Sequence, residues 1–181
     1  ILPNFLELSD YTPTGEKGSY IIMTGSYKSF QNQWGLVWFL ENVWDEELSR
    51  RTQLVVAGDY SREFLEKIKR KYRHKNFYKV QALGQVEDIN SHISRARVSV
   101  VPLLHGSGSR VKILEAMALK TLVISTAKGA EGIEHENTVI IADRAEDFKK
   151  EILKVLKGDH TEYYKTLVEK AYQVALKKYS F

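Results

Sequence analysis

Six short apolar runs punctuate this chain, and each ends in a turn before a longer stretch of helical character begins. The runs are 19–24 (SYIIMT), 53–57 (QLVVA), 77–83, 98–102 (VSVVP), 121–125 (TLVIS) and 138–141. Gly25, Gly58 and Gly84 close the first three. Runs this short and this continuously apolar are strands buried on both faces, which belong to a parallel sheet covered by helices on each side. The intervening segments supply those helices: 31–48, 61–72, 87–96, 110–119, 145–156 and 162–178. A strand–helix alternation of this kind predicts an α/β fold, a doubly wound Rossmann-like parallel sheet in the order 3-2-1-4-5-6. With 181 residues and 43% hydrophobic residues, the chain suffices for one such domain, at 18–181, preceded by a linker or entering arm at 1–17 that carries Pro3 and Pro13. The three tryptophans of the first helix, Trp34, Trp38 and Trp44, are expected in the core.

The doubly wound order carries a functional expectation of its own. Ligands bind at the carboxyl ends of strands one and four, where the winding reverses. Strand four runs into His105-Gly106-Ser107-Gly108-Ser109, and this glycine loop opens a helix whose apolar residues Ile113, Leu114, Met117 and Ala118 share a face. With Ser109 as the expected N-cap, the first turn of that helix holds Arg110 and Lys112. Cations are disfavoured at the positive end of a helix dipole by roughly 0.3–1 kcal/mol each. Two of them there point to an anion that they and the free amides bind together. Glu115 lies one turn beyond Lys112 on the same face, placed to accept hydrogen bonds from hydroxyl groups, so that phosphate followed by ribose fits the order. The alternative is a solvent-facing helix end with a Lys112–Glu115 ion pair and glycines that only make a turn.

Several classes are excluded or disfavoured. The loop is no P-loop, because no Gly-Lys-Ser/Thr follows, and Val111 spoils a dinucleotide fingerprint. Zero cysteines remove disulfides, thiol nucleophiles and cysteine-ligated zinc, and no His/carboxylate spacing suggests a metal. No apolar run reaches the ~18 residues of a membrane span. The net charge of +4 owes much to residues 62–79, which include KIKRKYRHK. That run reads as a solvated helix face, with an anionic membrane or nucleic acid as the alternative partner of a basic binding module.

Taken together, these residues resemble the C-terminal, donor-binding domain of GT-B glycosyltransferases of the family 4 (group 1) type, over essentially the whole chain. ILPN is similar to the segment that enters this domain, and TGSYKSFQNQWGLVWFLENVW to the first strand and helix of one branch. LVVAGDYS, LGQVEDINSHISRARVSVVPLLHGSGSRVKILEAMALKTLVIST and KGAEGI then follow in the family's order. KKYSF is similar to the sequence after which the last helix crosses back to the N-terminal domain. The resemblance implies a nucleotide-sugar donor, no cofactor or metal, retention at the anomeric carbon, and a role in glycan or polysaccharide biosynthesis. It implies a cytoplasmic enzyme, peripheral to the membrane if attached at all, and a chain that is half of that enzyme, lacking the N-terminal acceptor domain and inactive alone. Ser107, Gly108, Ser109, Arg110 and Lys112 are then expected at the donor diphosphate, Glu115 at the ribose, His105 and Gly106 at the donor sugar, and Val86 at the base. Ser107 stands where the family's first glutamate would be, and Ser26-Tyr27-Lys28 lacks the Gly-Arg and Lys-Gly pattern whose cations bind the diphosphate in many relatives. A GT-B epimerase or phosphorylase is the nearest enzymatic alternative.

Overall fold

The computed structural model describes residues 6–72, 76–106, 110–159 and 161–179. Its centre is a single all-parallel sheet of β1 (Tyr20–Thr24), β2 (Gln53–Ala57), β3 (Val80–Gly84), β4 (Val98–Val101), β5 (Leu122–Ser125) and β6 (Ile140–Ile141). The strand order is β3-β2-β1-β4-β5-β6, as the alternation of runs predicts. β1 is flanked by β2, with Tyr20 opposite Gln53, and by β4, with Ile21 opposite Val98. The winding therefore reverses between β1 and β4.

Successive residues of a strand face opposite sides, and the two hydrophobic layers divide accordingly. Ile21 and Met23 of β1 enter one layer and Ile22 the other. The first layer is built on α1 (Phe30–Asn42), α2 (Glu46–Arg51), α3 (Ser61–Lys71) and α6 (Ala145–Lys157), and the second on α4 (Ile89–Arg95) and α5 (Val111–Ala118). The last helix, α7 (Thr161–Lys178), serves both, with Tyr164 and Leu167 in one and Ala171 and Ala175 in the other. Phe148 of α6 is fully buried and meets Phe39 and Trp38 edge-on, at ring separations of 6.3 and 5.7 Å.

Three expectations are corrected. The segment 31–48 forms two helices, because Asp45 leaves the helical conformation and its carboxylate caps α2 by accepting from the Leu48 amide at 3.0 Å. Lys149 of α6 then bonds Asp45 at 2.6 Å and Glu47 at 2.9 Å. An aspartate before Glu-Glu is a good helix start, and it prevails over apolar periodicity running through it. The third strand begins at Val80, after Lys79 takes a positive φ of 55° that no strand accommodates. Of the tryptophans, Trp44 is buried and Trp38 packs partly buried against the core, but Trp34 is 49% exposed. Trp34 lies between Phe30 at 5.1 Å and His105 at 5.9 Å.

The arm over 6–17 lies along the domain. Leu6 is buried and its amide donates to the Tyr179 carbonyl at 2.6 Å. Thr14 donates its amide to Ser94 Oγ at 2.6 Å. The Lys17 ammonium donates to the carbonyls of Ser94 and Lys120, at 2.6 and 2.9 Å, where α4 and α5 end. Cations are favoured there, since helix C-termini leave carbonyls without partners.

Candidate functional site

A cavity of about 550 Å³ opens at the carboxyl ends of β1 to β4, the position dictated by the reversal of winding. Its volume lies in the range of small-molecule sites. Two glycines set its floor. Gly25 (φ +140°) and Gly58 (φ +129°) follow β1 and β2, and a Cβ on Gly58 would stand 2.0 Å from the Gly25 carbonyl oxygen. A Cβ on Gly25 would lie 2.7 Å from Asn32 Nδ2 and 3.0 Å from Lys112 Nζ. Side chains are therefore excluded from the place where the Lys112 ammonium meets the end of β1.

The wall opposite is the start of α5. Its N-cap is Arg110, with no side-chain capping bond, so the expectation of a Ser109 cap is corrected. The cap position places the Arg110 side chain at the helix mouth, and that side chain does not cap the first amides of α5. Arg110 is only 5% exposed, and its guanidinium reaches the loop after β5, donating to the carbonyl and the carboxylate of Glu131 at 3.4 Å each. Glu131 is shared with Lys128 at 2.6 Å.

Lys112 donates to Asn32 Oδ1 at 2.5 Å and, among the described residues, pairs with no carboxylate. The Lys112–Glu115 ion pair of the alternative reading is absent. Burial pulls the Lys112 pKa from the lysine value of 10.5 down to about 8, against the attraction of the Glu115 charge. An ammonium desolvated without a counter-ion costs the ligand-free fold stability, and that cost vanishes where the group is neutral. The folded state releases this proton near pH 8 and the unfolded chain near 10.5, so stability rises with pH across that interval. In urea unfolding of wild type and Lys112→Met between pH 7.5 and 9.5, the wild-type midpoint rises more steeply; equal slopes would contradict the assignment.

Glu115 accepts from the Tyr11 hydroxyl at 3.3 Å. Burial pushes its carboxyl above the ordinary value, opposed by that bond and by Lys112. Val86 and Ile89, just beyond β3, give the cavity an apolar margin.

Five of the residues singled out in the sequence thus line one cavity: Val86, His105, Arg110, Lys112 and Glu115. Gly106 adjoins it with φ +107°, packed so closely on Gln31 that a Cβ would stand 2.5 Å from Cγ. Ser107, Gly108 and Ser109 lie outside the described residues. Sequence reasoning missed Asn32, Glu131 and Tyr11. Asn32 carries a weak signal, being in the first turn of the helix after β1, at the switch point; Glu131 lies within KGAEGI, whose Gly129 to Gly132 is similar to a loop near the donor in the family; Tyr11 carries none. The basic run falls on α3 with Glu63 and Glu66 among its cations, Lys69 pairing with Glu66 at 3.0 Å, and takes no part in the cavity. Arg73, His74 and Lys75 are outside the described residues.

A doubly wound parallel sheet with a cavity and a helix start at its switch point defines a Rossmann-like α/β domain. Comparison with known proteins specifies it further. The family described as "Glycosyl transferases group 1" matches residues 18–158, and the chain belongs to that family. A glycosyltransferase from Rickettsia africae superimposes with a TM-score of 0.70 at 22% identity, covering 93% of this chain and 45% of that one. The C-terminal domain of a glycosyl transferase group 1 family protein (LpcC) from Francisella tularensis gives 0.67 at 17%, over 97% of this chain and 99% of that domain. Anabaena HepE, in complex with UDP and glucose, gives 0.74 at 14%, over 98% and 52%. In sequence, an uncharacterized 44.6 kDa protein in the cps region of Klebsiella pneumoniae is 25% identical over 147 residues, 76% of this chain and 37% of that protein. The fold is that of the C-terminal half of GT-B glycosyltransferases, and the chain spans 37–52% of the longer relatives.

Proposed function

We propose that this chain binds the nucleotide-sugar donor of a retaining, metal-independent glycosyltransferase of glycan or polysaccharide biosynthesis, whose acceptor is held by a second, N-terminal domain. The observation that carries the reading is the Lys112 ammonium, desolvated and, among the described residues, in ion-pair contact with no carboxylate, in the same cavity lining as Arg110 at the start of α5. A diphosphate seated there meets both cations and the first amides of the helix, together with the amides of Ser107, Gly108 and Ser109. Glu115 takes the ribose hydroxyls, Val86 and Ile89 the base, and His105 and Gly106 the donor sugar. When the glycosidic bond breaks, its electron pair leaves on the diphosphate, and preorganised cations and amides stabilise the added charge without reorganising. These charges do the work that a divalent cation does elsewhere, which supports metal independence.

Support for a uridine nucleotide comes from Anabaena HepE, whose structure is a complex with UDP and glucose. Support for a partner domain comes from the 45% and 52% coverage of the longer structures, and for a polysaccharide role from the cps-region relative. Family membership favours transfer over a scaffolding role for the basic helix. The test is calorimetric titration with UDP-, GDP- and ADP-glucose in chelator and again in magnesium. One of the three is expected to bind saturably with equal affinity in both; absence of binding refutes the donor assignment, and dependence on magnesium refutes metal independence.

A further inference from the structure

Glu115, the carboxylate that α5 brings to the cavity, is held by a residue distant in sequence. Tyr11 and Glu115 are 104 positions apart, and the phenol donates to Glu115 Oε1 at 3.3 Å. Tyr11 stands on a segment fixed on both sides: Asn90 Nδ2 donates to the Asp10 carbonyl at 2.8 Å, and Thr14 donates its amide to Ser94 Oγ at 2.6 Å. Its ring packs against the second hydrophobic layer. Tyr11 does not line the cavity, whereas Glu115 does. The phenol therefore reaches the carboxylate from behind the site.

A carboxylate offers about four acceptor positions on two oxygens. One taken by a fixed donor orients the plane of the group and leaves the others for a ligand. The phenol is a durable donor, because burial and the Glu115 charge raise its pKa to about 12. The same bond favours the ionised form of Glu115, against the burial that favours the neutral one. An ionised, oriented acceptor is what recognition of paired hydroxyls requires.

We infer that Tyr11 is a positioning residue for ribose recognition, holding Glu115 so that the 2′- and 3′-hydroxyls of a nucleotide are bonded in place. The inference rests on the donor-binding reading above and adds the arm over 6–17 to the nucleotide site. Specificity for ribose over deoxyribose then depends on a residue that never touches the ligand.

The experiment titrates the chain with UDP, GDP and ADP, each beside its 2′-deoxy and 3′-deoxy counterparts and its nucleoside. Wild type is expected to prefer the ribonucleotide by roughly tenfold, the range of a hydrogen bond to a charged group. Tyr11→Phe removes one oxygen and keeps the ring. In this variant the preference falls to about twofold, while the ratio of diphosphate to nucleoside affinity stays that of wild type. In Glu115→Gln the further change Tyr11→Phe leaves the ribose preference where Glu115→Gln alone put it, since the phenol acts through the carboxylate. An unchanged ribose preference in Tyr11→Phe, or additive effects in the double variant, overturns the inference. Failure of every diphosphate to bind wild type refutes the donor-binding reading itself, and the inference with it.

Discussion

Lys112→Met is expected to lower the affinity for a nucleoside diphosphate about a hundredfold while leaving the protein at least as stable as wild type. Two opposing terms produce this pairing. In the ligand-free protein the ammonium is desolvated, donates to Asn32 at 2.5 Å and, among the described residues, is in ion-pair contact with no carboxylate, so replacing it by an apolar side chain of similar length relieves a cost. In the complex the same desolvation strengthens attraction to the phosphates, and its loss leaves their charge underpaired, about 3 kcal/mol for a buried charge pair. The nucleoside has no phosphate and is expected to change by less than about threefold. Diphosphate affinity in wild type also falls as pH rises above about 8, because the free protein loses this proton there. Lys112→Met abolishes that dependence. Thermal unfolding with parallel titrations of diphosphate and nucleoside checks all three. A variant that loses stability and binds both ligands equally poorly would mark Lys112 as structural.

Glu115→Gln is expected to act on a different part of the ligand. Nucleosides and their diphosphates weaken together, by roughly ten- to a hundredfold, because the ribose is common to both and a charged acceptor contributes about 1.5–3 kcal/mol. The sign of the pH effect is opposite to that of Lys112. Burial raises the Glu115 pKa, so the ionised acceptor is lost as pH falls toward that raised value, and wild-type affinity for both ligands declines on acidification. Glu115→Gln shows no such decline. Stability follows the same linkage: a raised carboxyl favours the fold most below its unfolded pKa and loses that contribution as pH rises through the folded value. Ligand-free Glu115→Gln is thus expected to match or exceed wild-type stability at neutral pH. Titration of a nucleoside and its diphosphate from pH 5 to 8 is the check. Selective loss of the diphosphate alone would remove Glu115 from the ribose.

Both variants express one relation: the site keeps charged groups under-partnered, and replacing them trades binding for stability. How much of this was legible in the sequence follows from the range of the interactions involved. β2 spans 53–57 and the strand order is 3-2-1-4-5-6, both as the apolar runs imply, because burial on two faces writes itself as unbroken local hydrophobicity. Arg110, Lys112 and Glu115 were legible because they follow strand four in one contiguous stretch. The break at Asp45 was missed since a single capping carboxylate interrupts a periodicity that its apolar neighbours Val43 and Trp44, both buried, continue. Trp34 was assigned to the core by that same periodicity, yet it is about half exposed and its ring lies beside those of Phe30 and His105. Asn32, Tyr11 and Glu131 reach the site across 80, 104 and 21 positions of sequence. Contacts of that kind are products of the fold, and no local pattern gives the pairing.

The central claim is that the cavity at the start of α5 binds a diphosphate. Its most direct test is calorimetric titration of the chain with UDP, GDP and ADP and with their nucleosides, repeated on Arg110→Ala and Lys112→Met. The account predicts that one diphosphate binds saturably, about a hundredfold more tightly than its nucleoside, and that both substitutions erase most of that difference. Equal affinities for diphosphate and nucleoside in wild type, or a difference that survives in both variants, would contradict it.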